Sequence, residues 1–246
     1  MKSFPQFSKL LLTGVVAFGL AACSDSDNDL PTPPTPPAPP TTPDPTPVTY
    51  SYQVTVTNLT YAQPMSPVAV VLHNEGNLFM LGESASNAIE VMAEGGDNSG
   101  LLELDVALSS ASSEGILMPG ASATVDVEVT DTMPMSISLA TMLVNTNDAF
   151  TGVNAISLAD LEVGESISLV TSSYDAGTEA NSEMAGTIPG PADGGEGYNE
   201  VRDDRIDMVT MHSGVVSQDD GLTTSVLTQA HKFDNPTMRV SITRSQ

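Results

Sequence analysis

Cysteine is almost absent: the 246 residues contain one, Cys23. No intramolecular disulfide can form, so stability must come from core burial or from a bound ion. Basic residues are scarce too, 7 against 31 acidic ones, for a net charge of −24. Nucleic acid and anionic membrane surfaces are poor partners for such a chain, whereas cations are good ones. Beyond the N-terminus no stretch offers the roughly 20 continuous apolar residues that a membrane span needs. Histidine is limited to His73, His212 and His231, none at the spacing of a helical zinc pair. Each reads as a surface group or a satisfied core group.

The N-terminus is a targeting segment. Lys2 and Lys9 form a positive region, Leu10 to Leu20 a short apolar one, and Leu20-Ala21-Ala22-Cys23 places small residues before the lone cysteine. This resembles the lipobox of bacterial lipoproteins. The resemblance implies removal of residues 1–22, a diacylglycerol on the Cys23 thiol and an acylated new N-terminus. Several acyl chains at about 0.8 kcal/mol per buried CH₂ hold a protein stably on a bilayer, so the lipid is the only membrane contact expected. Removing the signal leaves 5 basic residues against 31 acidic, a net charge of −26. Ser24 after the cysteine points, by the same analogy, to the outer membrane of a bacterial envelope.

Residues 23–48 form a lipidated, Pro/Thr-rich tether. Pro-rich chain extends about 3.1 Å per residue, which lifts the downstream domain roughly 50 Å from the bilayer. Asp25, Asp27 and Asp29 alternate like the start of an EF-hand loop, but the loop's glycine and closing glutamate are missing.

The remaining 200 or so residues, 49–246, suit one domain. Tyr52, Val54 and Val56 alternate with polar residues, the period of a half-buried strand. Val68 to Leu72 is a continuous apolar run, expected as a strand buried on both faces. Ala85, Ala88, Ile89 and Met92 recur at helical spacing before Gly95-Gly96. A second short helix is expected over Gly100 to Leu108. Alternating strands return at 121–129, 136–144, 165–170 and 237–243. Met92, Met142 and Met238 fall on core positions, as flexible filler. Residues 171–205 are rich in Gly, Asp and Pro without periodicity, a length that marks a functional or disordered loop. The fold class expected is mainly β, an antiparallel β-sandwich with one or two short helices.

Two segments carry chemistry. In Met142-Leu-Val-Asn-Thr-Asn-Asp148-Ala-Phe-Thr-Gly-Val153 an aspartate sits in a polar loop between apolar runs. In Tyr174-Asp175-Ala-Gly-Thr-Glu179-Ala-Asn181 carboxylates flank a glycine turn. A hard cation takes six to eight oxygens, several from carboxylates. Asp148, Asp175 and Glu179 with loop carbonyls could supply them; solvated loop carboxylates are the plainer reading. A hydrolase is disfavoured, because Gly82-Glu-Ser-Ala-Ser86 lacks the glycine that a nucleophile elbow needs after its serine.

These two segments resemble the paired motifs of the spondin domain family, found in F-spondin, mindin and many bacterial lipoproteins. Asp175-Ala176-Gly177-Thr178-Glu179 is similar to that family's Asp-Ala-Gly-Thr-Asp, and Asp148-Ala149-Phe150-Thr151-Gly152-Val153 to its loop aspartate followed by an aromatic. Further similar places are Ser66-Pro67, Leu81 to Ser86, Ala93-Glu94, Ile188-Pro-Gly-Pro191 and Asn235 to Thr243. The resemblance spans nearly the whole domain. It implies a C2-like β-sandwich holding one calcium ion (Ca2+) through Asp148, Asp175 and Glu179. Glu179 in place of aspartate lengthens one ligand, Ala149 replaces an aromatic, and the animal members' disulfides are missing. The function expected is a non-enzymatic, lipid-anchored, extracytoplasmic calcium-binding module for adhesion to a protein or glycan ligand. A structural envelope lipoprotein without a metal site is the alternative, with a hydrolase behind it.

Overall fold

The computed structural model describes residues 44–203 and 206–246. The signal, Cys23 and the tether up to residue 43 lie outside the described residues. The described chain is mainly antiparallel β, as expected. Its strands are β1 (Thr49–Asn58), β2 (Ala69–His73), β3 (Ala107–Ser112), β4 (Ser122–Thr130), β5 (Ser136–Met142), β6 (Ala149–Ser157), β7 (Ser166–Asp175), β8 (Thr210–Met211) and β9 (Met238–Arg244). They form one hydrogen-bonded path, β3-β2-β5-β6-β7-β9-β1-β4, with β8 on β7. The end strands β3 and β4 contact each other, so the sheet curls round and nearly closes.

Side-chain period decides which face each strand buries. Tyr52, Val54 and Val56 of β1 point inward with Val125 and Val127 of β4 and Val240 and Ile242 of β9. On the outer face of the same pair, Thr55 meets Thr124 at 3.1 Å and Thr57 meets Ser122 at 2.8 Å. The β2 run is buried on both faces, as its unbroken apolar sequence implies. Val70 and Leu72 join the inner core, while Ala69 and Val71 meet a second core beneath a helix.

That helix, α1 (Asn87–Gly95), starts at Ser86, whose Oγ accepts the Ile89 N–H at 3.3 Å, and stops at Gly96, which caps it in the left-handed region. Its apolar stripe of Ile89, Met92 and Ala93 covers Ala140, Met142 and Phe150 of β5 and β6. Met92, Met142 and Met238 are all core, as the pattern implied. The second helix, α2, is only Ser99–Leu102. The expected helix over 100–108 ends early because the chain turns at 103–106 and leaves as β3.

β7 joins the two halves of the sheet. Ser166 to Thr171 pair with β9, and Ser172 to Asp175 pair with β6. At the changeover, Thr171 Oγ1 lies 2.6 Å from Thr151 Oγ1, to which the Thr237 hydroxyl donates at 2.8 Å. These buried hydroxyls satisfy one another where the ladder changes partner. Beyond Asp175 the chain runs to residue 209 with almost no regular structure, so the long loop begins later than its composition suggested. At the far end of β1, the Asn58 side chain donates to Gln63 O at 2.8 Å, and Gln63 donates in turn to Asn145 O at 3.2 Å. β1 therefore ends beside the loop that carries Asp148. Among the described residues no helix is long and apolar enough to cross a membrane.

Candidate metal centre

The β5–β6 loop is polar in sequence yet wholly buried: Asn145, Thr146, Asn147 and Asp148 all lie beneath the 176–195 segment. Its shape is fixed locally. Thr146 donates to Leu143 O at 2.6 Å and accepts the Ala149 N–H at 3.0 Å. Asn147 donates from its side chain to Thr187 O at 3.1 Å, tying the loop to the segment above it.

Asp148 is 0 % exposed and organises the second motif. Its Oδ2 accepts the backbone N–H of Thr178 at 2.9 Å and of Glu179 at 3.1 Å, and its carbonyl accepts Ala176 N–H at 3.2 Å. The turn can approach this closely because residue 177 is glycine. Gly177 has φ +70°, and a Cβ there would collide with Met208 O.

The Glu179 backbone therefore lies against the Asp148 carboxylate, its N–H 3.1 Å from Oδ2. Burial first, then the charges of Glu94, Asp148 and Asp203, push the Glu179 carboxyl up to about 8, opposed by a hydrogen bond from Asn147. Asp175 adjoins them by β6–β7 pairing with Ala149, but its oxygens are engaged within its own turn. Oδ1 accepts the Gly177 N–H at 2.8 Å, and Oδ2 accepts from the Asn181 side chain.

Glu94 and Asp203 belong to the same neighbourhood, and the motif resemblance did not single them out as ligands. Glu94 sits in the last turn of α1, 1 % exposed, its Oε2 accepting the Asn199 N–H at 2.9 Å. Burial raises its pKa, and hydrogen bonds from the Asn199 N–H and the Thr178 hydroxyl pull it back. Asp203 Oδ1 accepts the Ala180 N–H at 2.8 Å. Glu90, one helical turn before Glu94, pairs with Arg202 at 2.6 Å, and Arg202 also reaches Asp207 at 2.6 Å. The available signal was this i, i+4 pair of glutamates on the packed side of an amphipathic helix.

The donors here are hard oxygens, the set that calcium prefers to thiolate or imidazole. As the side chains stand, no three Asp, Glu, His or Cys groups among the described residues are disposed to hold an ion. Of the histidines, His73 is a satisfied core group, its ring nitrogens 2.9 Å from Glu75 O and 2.8 Å from Ser138 Oγ. His231 is half-buried and accepts the Thr228 N–H at 3.0 Å. His212 differs from expectation. It is buried against Phe233, with Nδ1 accepting the Gly214 N–H at 2.9 Å and Nε2 lacking a partner. The chain matches no protein-family model and no curated protein.

Proposed function

We propose that this chain is a lipid-anchored, extracytoplasmic binding module of the spondin type, non-enzymatic, whose loop end takes one calcium ion. Asp148 and Glu179 would hold the ion, with Asp175, the third carboxylate implied by the motif resemblance, beside them. The observation that carries this reading is the concentration of carboxylates at one place, where Glu94 and Asp148 are buried, Glu179 half-buried and Asp203 exposed. Glu179 stands among Glu94, Asp148 and Asp203, which disfavour its ionised form. Such a group is relieved by a proton or by a cation, and a divalent ion would neutralise the charge while joining the β5–β6 loop to the 175–181 turn. The ordered surface around that end would then meet a protein or glycan ligand. Cys23 lipidation in a bacterial envelope, at the outer membrane, is the setting that the N-terminal residues support.

One observation favours the alternative of a structural envelope lipoprotein without a metal. Asp148 Oδ2 already holds two backbone N–H groups, a role that needs no ion. Thermal melting of the full mature chain in detergent separates the two. A ligand that binds only the folded state at 100 times its Kd adds about 2.7 kcal/mol, which is roughly 5–10 °C of Tm for a domain of this size. Unchanged melting between chelator and millimolar calcium refutes the calcium reading.

A further inference from the structure

We propose that the apolar cavity beside the C-terminal end of α1 docks a basic, apolar segment of a protein partner, with aliphatic side chains in the cavity and a lysine or arginine facing the helix end. This rests on the reading of the chain as a ligand-binding module and deepens it, but it requires no calcium. The cavity has a volume of about 540 Å³, within the range of ligand sites. Its lining includes Ile116 and Met118, 53 % and 55 % exposed. Leu117 between them is buried; its N–H donates to Met65 O at 2.9 Å and its carbonyl accepts the Met65 N–H at 3.0 Å. That pairing holds two large apolar side chains out toward water beside an apolar hollow. Single exposed apolar residues are ordinary, but a pair bordering such a hollow marks an interaction site.

The wall has few donors to offer a polar ligand. Pro64, Pro67, Pro189 and Pro191 have no N–H. The N–H groups of Ser66, Met142 and Val144 go to Met142 O at 3.1 Å, Ser66 Oγ at 3.0 Å and Pro64 O at 3.0 Å. Thr141 donates its hydroxyl to Ser66 O at 2.7 Å, so the Ser66 hydroxyl, 3.2 Å from Thr141 Oγ1, donates back. Among the described residues no charged side chain lines the cavity. Anions and sugars, whose oxygens need donors, are therefore poor occupants. Gly95 and Gly96 bring the end of α1 into the wall. A helix presents carbonyl oxygens there, worth about half a negative charge, and the last turn of α1 has no basic residue. With 31 acidic residues against 7 basic ones, the chain repels a second copy of itself and attracts a basic partner.

Fluorescence anisotropy with the mature chain carrying Cys23→Ser, which dispenses with detergent, tests this. The probe is a short labelled peptide of alternating leucine and lysine, and its companions carry serine for leucine or glutamate for lysine. The leucine–lysine peptide should bind, and each companion should bind at least about tenfold more weakly. Ile116→Ser with Met118→Ser should weaken the leucine–lysine peptide at least about fivefold. Val163→Ser, at an exposed apolar residue between β6 and β7, should leave it within about twofold. A smaller loss in the double variant overturns the cavity as the site. Equal binding of the glutamate peptide overturns the basic partner in favour of a purely apolar occupant such as an acyl chain. Should the double variant not fold, Met118→Lys alone, which sets a positive charge at the cavity, must show the same fivefold weakening. The melting response to calcium is read on the same samples. Failure of the peptide to bind with that response intact overturns the docking proposal alone, and absence of both overturns the calcium-binding module as well.

Discussion

Replacing Asp148 distinguishes a carboxylate that holds backbone from one that also holds an ion. In Asp148→Ala the N–H groups of Thr178 and Glu179, now 2.9 and 3.1 Å from Oδ2, lose their acceptor in a place closed to water. Each buried donor left unpaired costs about 1–3 kcal/mol, so the loss is about 2–6 kcal/mol. For a domain of this length each kcal/mol is about 2–4 °C, which puts the fall in Tm between roughly 4 and 24 °C. Asp148→Asn keeps an acceptor oxygen, so its cost in chelator should be less than half as large, yet its calcium response should vanish because the charge is gone. Urea unfolding in chelator, followed by circular dichroism, gives both stabilities. Asp148→Ala within about 0.5 kcal/mol of the parent, the range of an ordinary surface change, would show that the turn is held by something else.

Gly177→Ala forces a side chain into the left-handed region and into Met208 O, and should cost about 2 kcal/mol or more in urea unfolding. Glu183 is 2 % exposed, and burial pushes its carboxyl above the usual range, opposed by the Val216 N–H. A raised folded-state pKa means its favourable contribution is full below about 4.5, the usual glutamate value, and is lost as pH rises. Glu183→Gln should therefore gain on the parent between pH 4 and pH 8; a constant difference across that range refutes the argument. Cys23→Ser should abolish incorporation of labelled fatty acid and move the protein into the aqueous phase of a detergent partition, whereas retention in the detergent phase would deny the lipid anchor.

Much of the fold is legible where one face of an element differs chemically from the other. The alternation of Tyr52, Val54 and Val56 locates β1, and the helical spacing of Ala85, Ala88, Ile89 and Met92 before Gly95-Gly96 locates α1. β3 escapes such reading because Ala-Leu-Ser-Ser-Ala-Ser has almost no contrast between its faces, which are half-buried against β2 on one edge only. β6 is obscured for the opposite reason: Ala149 to Gly152 are buried throughout, so no period survives. The link between Asp148 and Glu179 follows from adjacent motifs on paired strands. Glu94 reaches the same place only through the packing of α1 on β5 and β6, a long-range contact that local pattern does not encode.

The direction of β1 has a mechanical consequence. The chain comes into the sheet at Thr49, paired with Thr130, and the strand's other terminus, Asn58, abuts the Gln63–Asn145 junction. Ten residues at about 3.3 Å each separate the two by roughly 30 Å. Force applied from upstream of Thr49 is thus taken up by the β4 and β9 ladders at the base of the domain, and the carboxylate-bearing rim at the opposite pole is spared the load.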